Sequence, residues 1–169
     1  MSASTQIHRS HREPTAPASA LALVRAERAL IIDDDDALRP YFRRALGAVD
    51  PRIRMLWAHG VDAGLRLIRR AQPSFVVVDY LLEDGSGIAV KRWLDLFRPD
   101  LPYAMISALP VREEIDGSSS RIPRFLAKPF SFADLIALLG ELRNERASAL
   151  TRLSQPADPD SGPGTARNP

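Results

Sequence analysis

Five side chains stand where their types and spacing could do chemistry together: Asp33, Asp34, Asp79, Ser107 and Lys128. Asp33 and Asp34 open a run of four aspartates, Asp33 to Asp36, directly after Ala29-Leu30-Ile31-Ile32. Asp79 follows Phe75-Val76-Val77-Val78, Ser107 ends the run from Tyr103 to Ile106, and Lys128 follows Arg124-Phe125-Leu126-Ala127. An apolar run that breaks abruptly into a polar residue reads as a buried strand whose carboxyl end opens into a site. Carboxylates crowded at one such end repel by roughly 4 kcal/mol per close pair at an effective dielectric of 20. Something positive is therefore expected among them, and a hard divalent cation such as magnesium suits an all-oxygen donor set. Lysine is used only twice, at 91 and 128, against a large excess of arginine, so a lysine at a strand end is a marked choice.

Strands must bring these ends together. Between about Arg28 and Arg143, strand-like runs alternate with helical ones, the pattern of a parallel sheet covered by helices. Residues 37–46 are expected to form a helix with Leu38, Phe42, Ala45 and Leu46 on one face and Pro40 in its first turn. Asp35 and Asp36 fit the solvated start and cap of that helix. Ile53, Met55 and Trp57 alternate as a strand; Ala63, Leu67 and Ile68 give a helical stripe; residues 88–97 give another helix, closed by Arg98-Pro99. The last helix should open at Ser131, with Asp134 three residues on and Phe132, Leu135, Ile136, Leu139 and Leu142 facing inward, and should extend to Arg152 or Leu153. The slot between Ser107 and Arg124 is poorly filled, because Val111 to Ile115 offers about one turn of helix before Asp116-Gly117-Ser118-Ser119-Ser120 ends it. In open parallel sheets the site lies beyond the carboxyl ends of the strands, where strand order reverses. All four polar strand ends then face one crevice.

Composition narrows the function classes. At 169 residues and 45% apolar content the chain fits one domain with tails. Its 23 basic and 21 acidic residues are interspersed, with no lysine-rich patch, which argues against a nucleic-acid partner. The absence of cysteine excludes a disulfide frame or a thiolate metal site. No apolar stretch reaches the length of a membrane span, and Ala20 to Val24 is too short for a secretory core, so a cytoplasmic protein without a membrane partner is expected. Residues 1–26 are expected to be a disordered tail, 27–145 the folded domain, and 146–169 a helical extension followed by a second disordered tail.

The order and spacing of these elements resemble the receiver domain of bacterial two-component response regulators, over roughly residues 28–143. The residues that carry the likeness are Ile31-Ile32-Asp33-Asp34, Asp79 with Gly87 eight positions later, Ser107-Ala108, and Lys128-Pro129-Phe130. The resemblance implies a single flavodoxin-like, doubly wound α/β domain. It would have a five-stranded parallel sheet in the order 2-1-3-4-5 and helices on both faces, the fourth helix being short or irregular in this chain.

The resemblance also implies roles. Asp79 would accept a phosphoryl group from a phosphohistidine on a sensor histidine kinase or a histidine phosphotransfer protein, its carboxylate oxygen acting as nucleophile. Asp34 and Asp79 would hold magnesium directly, Asp33 through a water, and the backbone carbonyl of Leu81 would complete the protein ligands. Lys128 would pair with the phosphoryl oxygens, Ser107 would donate its hydroxyl, and the Ala108 N–H would add a hydrogen bond. Ser107 and Phe125 would form the switch. Phosphoryl transfer asks mainly for alignment and for charge neutralisation on the equatorial oxygens, which a metal and a lysine supply. Such a protein is not an enzyme acting on a separate substrate; it catalyses only its own phosphorylation and slow dephosphorylation. Leu81 and Leu109, each two residues beyond a site residue, are apolar and cannot position an attacking water, so slow loss of the phosphoryl group is expected.

Some positions depart from the family pattern. Leu81-Leu82 replaces the usual Met-Pro, Asp84-Gly85-Ser86-Gly87 supplies the turn, and Ser107 replaces the more frequent threonine. Trp57 and Trp93 read as packing residues and His59 as a surface residue. Beyond Leu142 there is room for an extended helix but not for a helix-turn-helix, so a stand-alone receiver that signals to another protein is expected. Two other readings use the same residues. Asp33-x-Asp35 also resembles the entry motif of haloacid-dehalogenase-like phosphatases, although that fold needs an acidic pair at a strand end after the lysine, and Asp134 and Glu141, which follow, both fall inside a helix. A receiver-like interaction module that is never phosphorylated would keep the site as structure alone.

Overall fold

A computed structural model of the chain describes residues 26–109 and 124–154. Five strands, β1 (Arg28–Ile32), β2 (Arg54–Ala58), β3 (Phe75–Asp79), β4 (Tyr103–Ser107) and β5 (Arg124–Ala127), form one sheet in the order β2-β1-β3-β4-β5. Every pairing in it is parallel. Four helices, α1 (Arg39–Val49), α2 (Val61–Ala71), α3 (Gly87–Phe97) and α4 (Phe132–Ser154), cover it. This is the expected flavodoxin-like architecture. Residues 1–25 of the expected first tail (1–26), residues 155–169 of the expected C-terminal segment (146–169) and the expected short helix within 110–123 lie outside the described residues.

Alternation along the strands divides the core in two. Ala29, Ile31, Phe75, Val77, Ala104 and Ile106 point to one face, where Phe42 and Leu46 of α1 and Leu135 and Leu139 of α4 pack on them. Leu30, Ile32, Val76, Val78 and Met105 point to the other, against Ile68 of α2 and Val90 and Leu94 of α3. Because the central strands are buried on both faces, their sequences are continuous apolar runs. Burying each such side chain contributes about 1.5–3 kcal/mol.

Helix ends follow local chemistry. Asp35 caps a short 3-10 turn, Asp36–Leu38, by accepting a hydrogen bond from the Ala37 N–H at 2.9 Å, and α1 proper starts after it with Pro40 in its first turn. At α4 the Asp134 N–H donates to the Ser131 hydroxyl oxygen at 3.1 Å, while the Asp134 carboxylate accepts from the Ser131 N–H at 3.2 Å, a reciprocal box that fixes the start. The buried face of α4 includes Leu138 besides Leu135, Leu139 and Leu142, whereas Phe132 and Ile136 are half-buried. The helix crosses the expected boundary at residue 145 without a break. Among the described residues, no helix is long and apolar enough to cross a membrane.

The chain leaves β1 for one side of the sheet and continues from β3 toward the other. The carboxyl ends of those two strands therefore border the point where strand order reverses, and they carry Asp33, Asp34 and Asp79.

Candidate functional site

Asp33 is fully buried just past β1, where its N–H donates to the Ala58 carbonyl at 2.9 Å. One carboxylate oxygen accepts from the Asp35 N–H at 2.9 Å, the other from Nζ of Lys128 at 3.1 Å. Burial pushes this carboxyl above the ordinary aspartate range, against the opposing pull of the Asp35 N–H and of the Lys128 ammonium. Asp79 ends β3, also buried, and accepts a hydrogen bond from Nζ of Lys128 through Oδ2. Its Oδ1 faces the Leu81 N–H at 3.4 Å. Half-buried Asp34 accepts from the Glu83 N–H at 2.9 Å, which ties the acid pair to the loop after β3. One oxygen from each of the three acids lies within 4.8 Å of the others.

Lys128 reaches them because its own N–H extends the β4–β5 pairing, donating to the Ser107 carbonyl at 2.7 Å. Burial alone would lower the pKa of its ammonium, but the hydrogen bond to Asp79 and the charges of Asp33 and Asp79 outweigh that and raise it. Ser107 is buried at the end of β4, and its Oγ accepts from the Leu109 N–H at 2.9 Å; exposed Ala108 lies between them in the chain. Leu81 and Leu109, whose N–H groups face Asp79 and Ser107, are 53% and 45% exposed. Phe125 does not join the acids; it is half-buried against the core on the α2 and α3 face.

Other parts of the site escape a linear reading. The carboxylate of Asp84 accepts from the Val61 N–H at 2.7 Å and the Asp62 N–H at 3.1 Å, capping α2 from across the crevice. Those two N–H groups hold its carboxyl below the usual range. The only trace in the sequence is that Gly60 precedes α2 at its cap position, where it brings no capping side chain and where an added Cβ would fall 2.4 Å from the Asp84 carboxylate. Gly87 stands out in the sequence by spacing alone. Its reason is a close approach: an added Cβ would meet the Asp79 carbonyl oxygen at 2.3 Å.

The donor set is all carboxylate oxygen, with one acid wholly cut off from water and a single ammonium between two of them. A hard, oxygen-seeking divalent cation fits that set. The two acids a dehalogenase-type phosphatase would need are engaged elsewhere: Asp134 in the cap of α4 and Glu141 with Arg124 at 3.6 Å. His59 is on the surface and pairs with Asp36 at 3.0 Å. Trp57 packs edge-on to Phe42, and half-buried Trp93 stacks beside Phe97.

Residues 29–140 match the family model described as the response regulator receiver domain. The chain is 33% identical over 137 residues to the response regulator MprA of Mycobacterium sp. strain KMS, covering 80% of this chain and 54% of that protein. It is 31% identical over 132 residues to MprA of Mycobacterium leprae, covering 78% and 54%. The chain thus spans about half the length of the curated relatives it matches. Among solved structures, a response regulator receiver domain protein from Clostridium thermocellum superimposes with a TM-score of 0.63 at 18% identity, covering 72% of this chain and 98% of the other. A CheY-like receiver domain protein from Methanospirillum hungatei gives 0.61 at 21%, covering 73% and 98%.

Proposed function

The chain belongs to the response regulator receiver family, and from that premise we propose that Asp79 accepts a phosphoryl group from a phosphohistidine of a sensor histidine kinase or histidine phosphotransfer protein. The observation that carries this reading is the convergence of Lys128, from the end of β5, on Asp33 and Asp79, from the ends of β1 and β3. In the transfer, a carboxylate oxygen of Asp79 attacks phosphorus, the P–N bond to the imidazole breaks, and the imidazole keeps the electron pair and takes up a proton. Asp79 is left as an acyl phosphate.

Asp34 and Asp79 would hold magnesium, with Asp33 behind a water and the Leu81 carbonyl as a further ligand. Bound there, the ion neutralises charge on the phosphoryl oxygens. The residues of the chain do the rest. Lys128 already bonds Asp79 and needs only a small shift to follow the new phosphoryl oxygens. The Ser107 hydroxyl and the Ala108 N–H receive another of those oxygens, and Phe125 responds to the movement of Ser107. Beside Lys128, an open groove of about 350 Å³ between Leu38 and Tyr41 on one side and Pro129 and Phe130 on the other offers the phosphate donor an apolar hold. The phosphorylated surface then signals through contact with another protein, a population shift between two surface states.

Incubation with acetyl phosphate and magnesium tests the proposal. The expected result is one base-labile phosphate per chain, absent from Asp79→Asn and absent when magnesium is chelated. Continuous turnover of the phosphodonor would indicate a phosphatase instead, and no labelling at all a module that is never phosphorylated.

A further inference from the structure

The end of the domain opposite the acids carries a surface that the phosphoacceptor chemistry does not use. Helices α2 and α3 both start beside the crevice, at Val61 and Gly87, and run away from it. On the outer side of α3, Ala89 is exposed, Trp93 half-buried, and Leu96 and Phe97 are 75% and 62% exposed, a continuous apolar stripe at helical spacing. The Trp93 and Phe97 rings lie 5.2 Å apart, and the Arg69 guanidinium of α2 sits 5.7 Å over the Trp93 ring. Arg92, next to Trp93 in α3, and Arg70, next to Arg69 in α2, are exposed. Among the described residues, no carboxylate is within ion-pair distance of Arg69, Arg70 or Arg92.

Burial explains why the charge here is one-sided. Asp95, in the same turn as Leu96, is turned inward: its two oxygens accept from Nζ of Lys91 at 2.9 Å and from the Tyr103 hydroxyl at 3.2 Å. Lys91, the only lysine besides Lys128, is wholly buried, and this is the carboxylate it neutralises. Asp100, just beyond α3, is occupied by Arg98 at 3.2 Å and Arg146 at 3.1 Å. Asp95 and Asp100 are thus paired within the chain, while Arg69, Arg70 and Arg92 are exposed on the two helices that carry the apolar stripe. Aromatic residues and arginine are the types enriched where proteins bind proteins.

We propose that this α2–α3 face docks an acidic, amphipathic segment of another protein, whose carboxylates meet Arg69, Arg70 and Arg92 and whose apolar side chains cover Leu96 and Phe97. The contact does not require a phosphoryl group on Asp79. It is tested with two synthetic helical peptides that share leucines at positions i, i+3, i+4 and i+7, one with glutamates and the other with lysines between them. Each is titrated into the isotope-labelled chain and followed by amide chemical shifts. The glutamate peptide is expected to shift residues 65–70 and 89–97 and to bind at least about tenfold tighter than the lysine peptide. Its binding should weaken about tenfold in Leu96→Ser/Phe97→Ser and in Arg69→Glu/Arg92→Glu, all exposed changes whose fold circular dichroism will confirm, and should be unchanged in Asp79→Asn. Equal binding of the two peptides, shifts elsewhere, or no shifts would overturn the proposal. So would self-association in sedimentation, or binding to phosphatidylglycerol vesicles, that the leucine and phenylalanine changes abolish, since a second copy or a lipid surface would then own the face.

Discussion

Nζ of Lys128 lies 3.1 Å from the carboxylate of Asp33, ninety-five residues earlier in the chain. Asp33 has no contact with solvent, so the lysine is its main source of opposite charge, and the same ammonium bonds Asp79. Lys128→Met would leave two buried carboxylates facing each other. The expected outcome is a folded chain whose labelling by acetyl phosphate falls at least about tenfold, roughly 1.4 kcal/mol of lost transition-state stabilisation, on gels that retard the phosphorylated form.

Acid should unfold the chain through its paired carboxylates. Hydrogen bonds from Arg52 hold the Asp50 carboxyl well below the usual range, against the cost of burial, with Arg143 adding its charge at 2.7 Å. Arg98 depresses Asp100 likewise, and Ser131 depresses Asp134. For a depressed carboxyl, the stabilising contribution is present above its unfolded value, here 3.8, and is lost as pH falls below that value toward the folded one. The depressed carboxyls should therefore make thermal melts decline below about pH 4, whereas buried Asp33, raised by its burial, contributes in the opposite direction above that pH. Asp50→Asn should be less stable at neutrality and show a shallower acid limb.

Leu81 and Leu109 follow Asp79 and Ser107 by two residues each and are exposed hydrocarbon. Neither can hold a water in line with the phosphorus, so the acyl phosphate should last many minutes after the phosphodonor is removed. Leu81→Asn, at an exposed position, should shorten that lifetime without altering the fold; a half-life of seconds in the parent chain would refute the assignment.

Glycines separate site packing from helix propensity. Gly87→Ala would drive a methyl into the Asp79 carbonyl oxygen and should cost about 1–3 kcal/mol in chemical denaturation. Gly47 in α1 and Gly140 in α4 have nothing within 4 Å of an added Cβ, so alanine at either should stabilise by about 0.5–1 kcal/mol.

How much of this was legible in the chain depends on how local the physics is. The two-sided burial of β1, β3 and β4 makes each an unbroken apolar run, so both their identity and the polar residues at their carboxyl ends can be read directly. Phe75–Asp79 and Arg124–Ala127 coincide with the runs picked out in the sequence, and the Ser131–Asp134 box is a contact across three residues. Those features, with the spacing of Asp33, Asp79, Ser107 and Lys128, were enough to identify the family and to gather the candidate acids. Contacts between elements were not legible. That Asp84 caps α2, that Gly87 must clear the Asp79 carbonyl, and that Lys91 turns inward to neutralise Asp95 depend on where the sheet places α2 and α3. The pairing of Lys128 with both Asp33 and Asp79 is likewise a tertiary contact, made by a long side chain that leaves the end of β5 and reaches past β4 to the ends of β3 and β1. A linear sequence encodes periods and neighbours; charge pairing across a crevice is a property of distances that exist only once the sheet has formed.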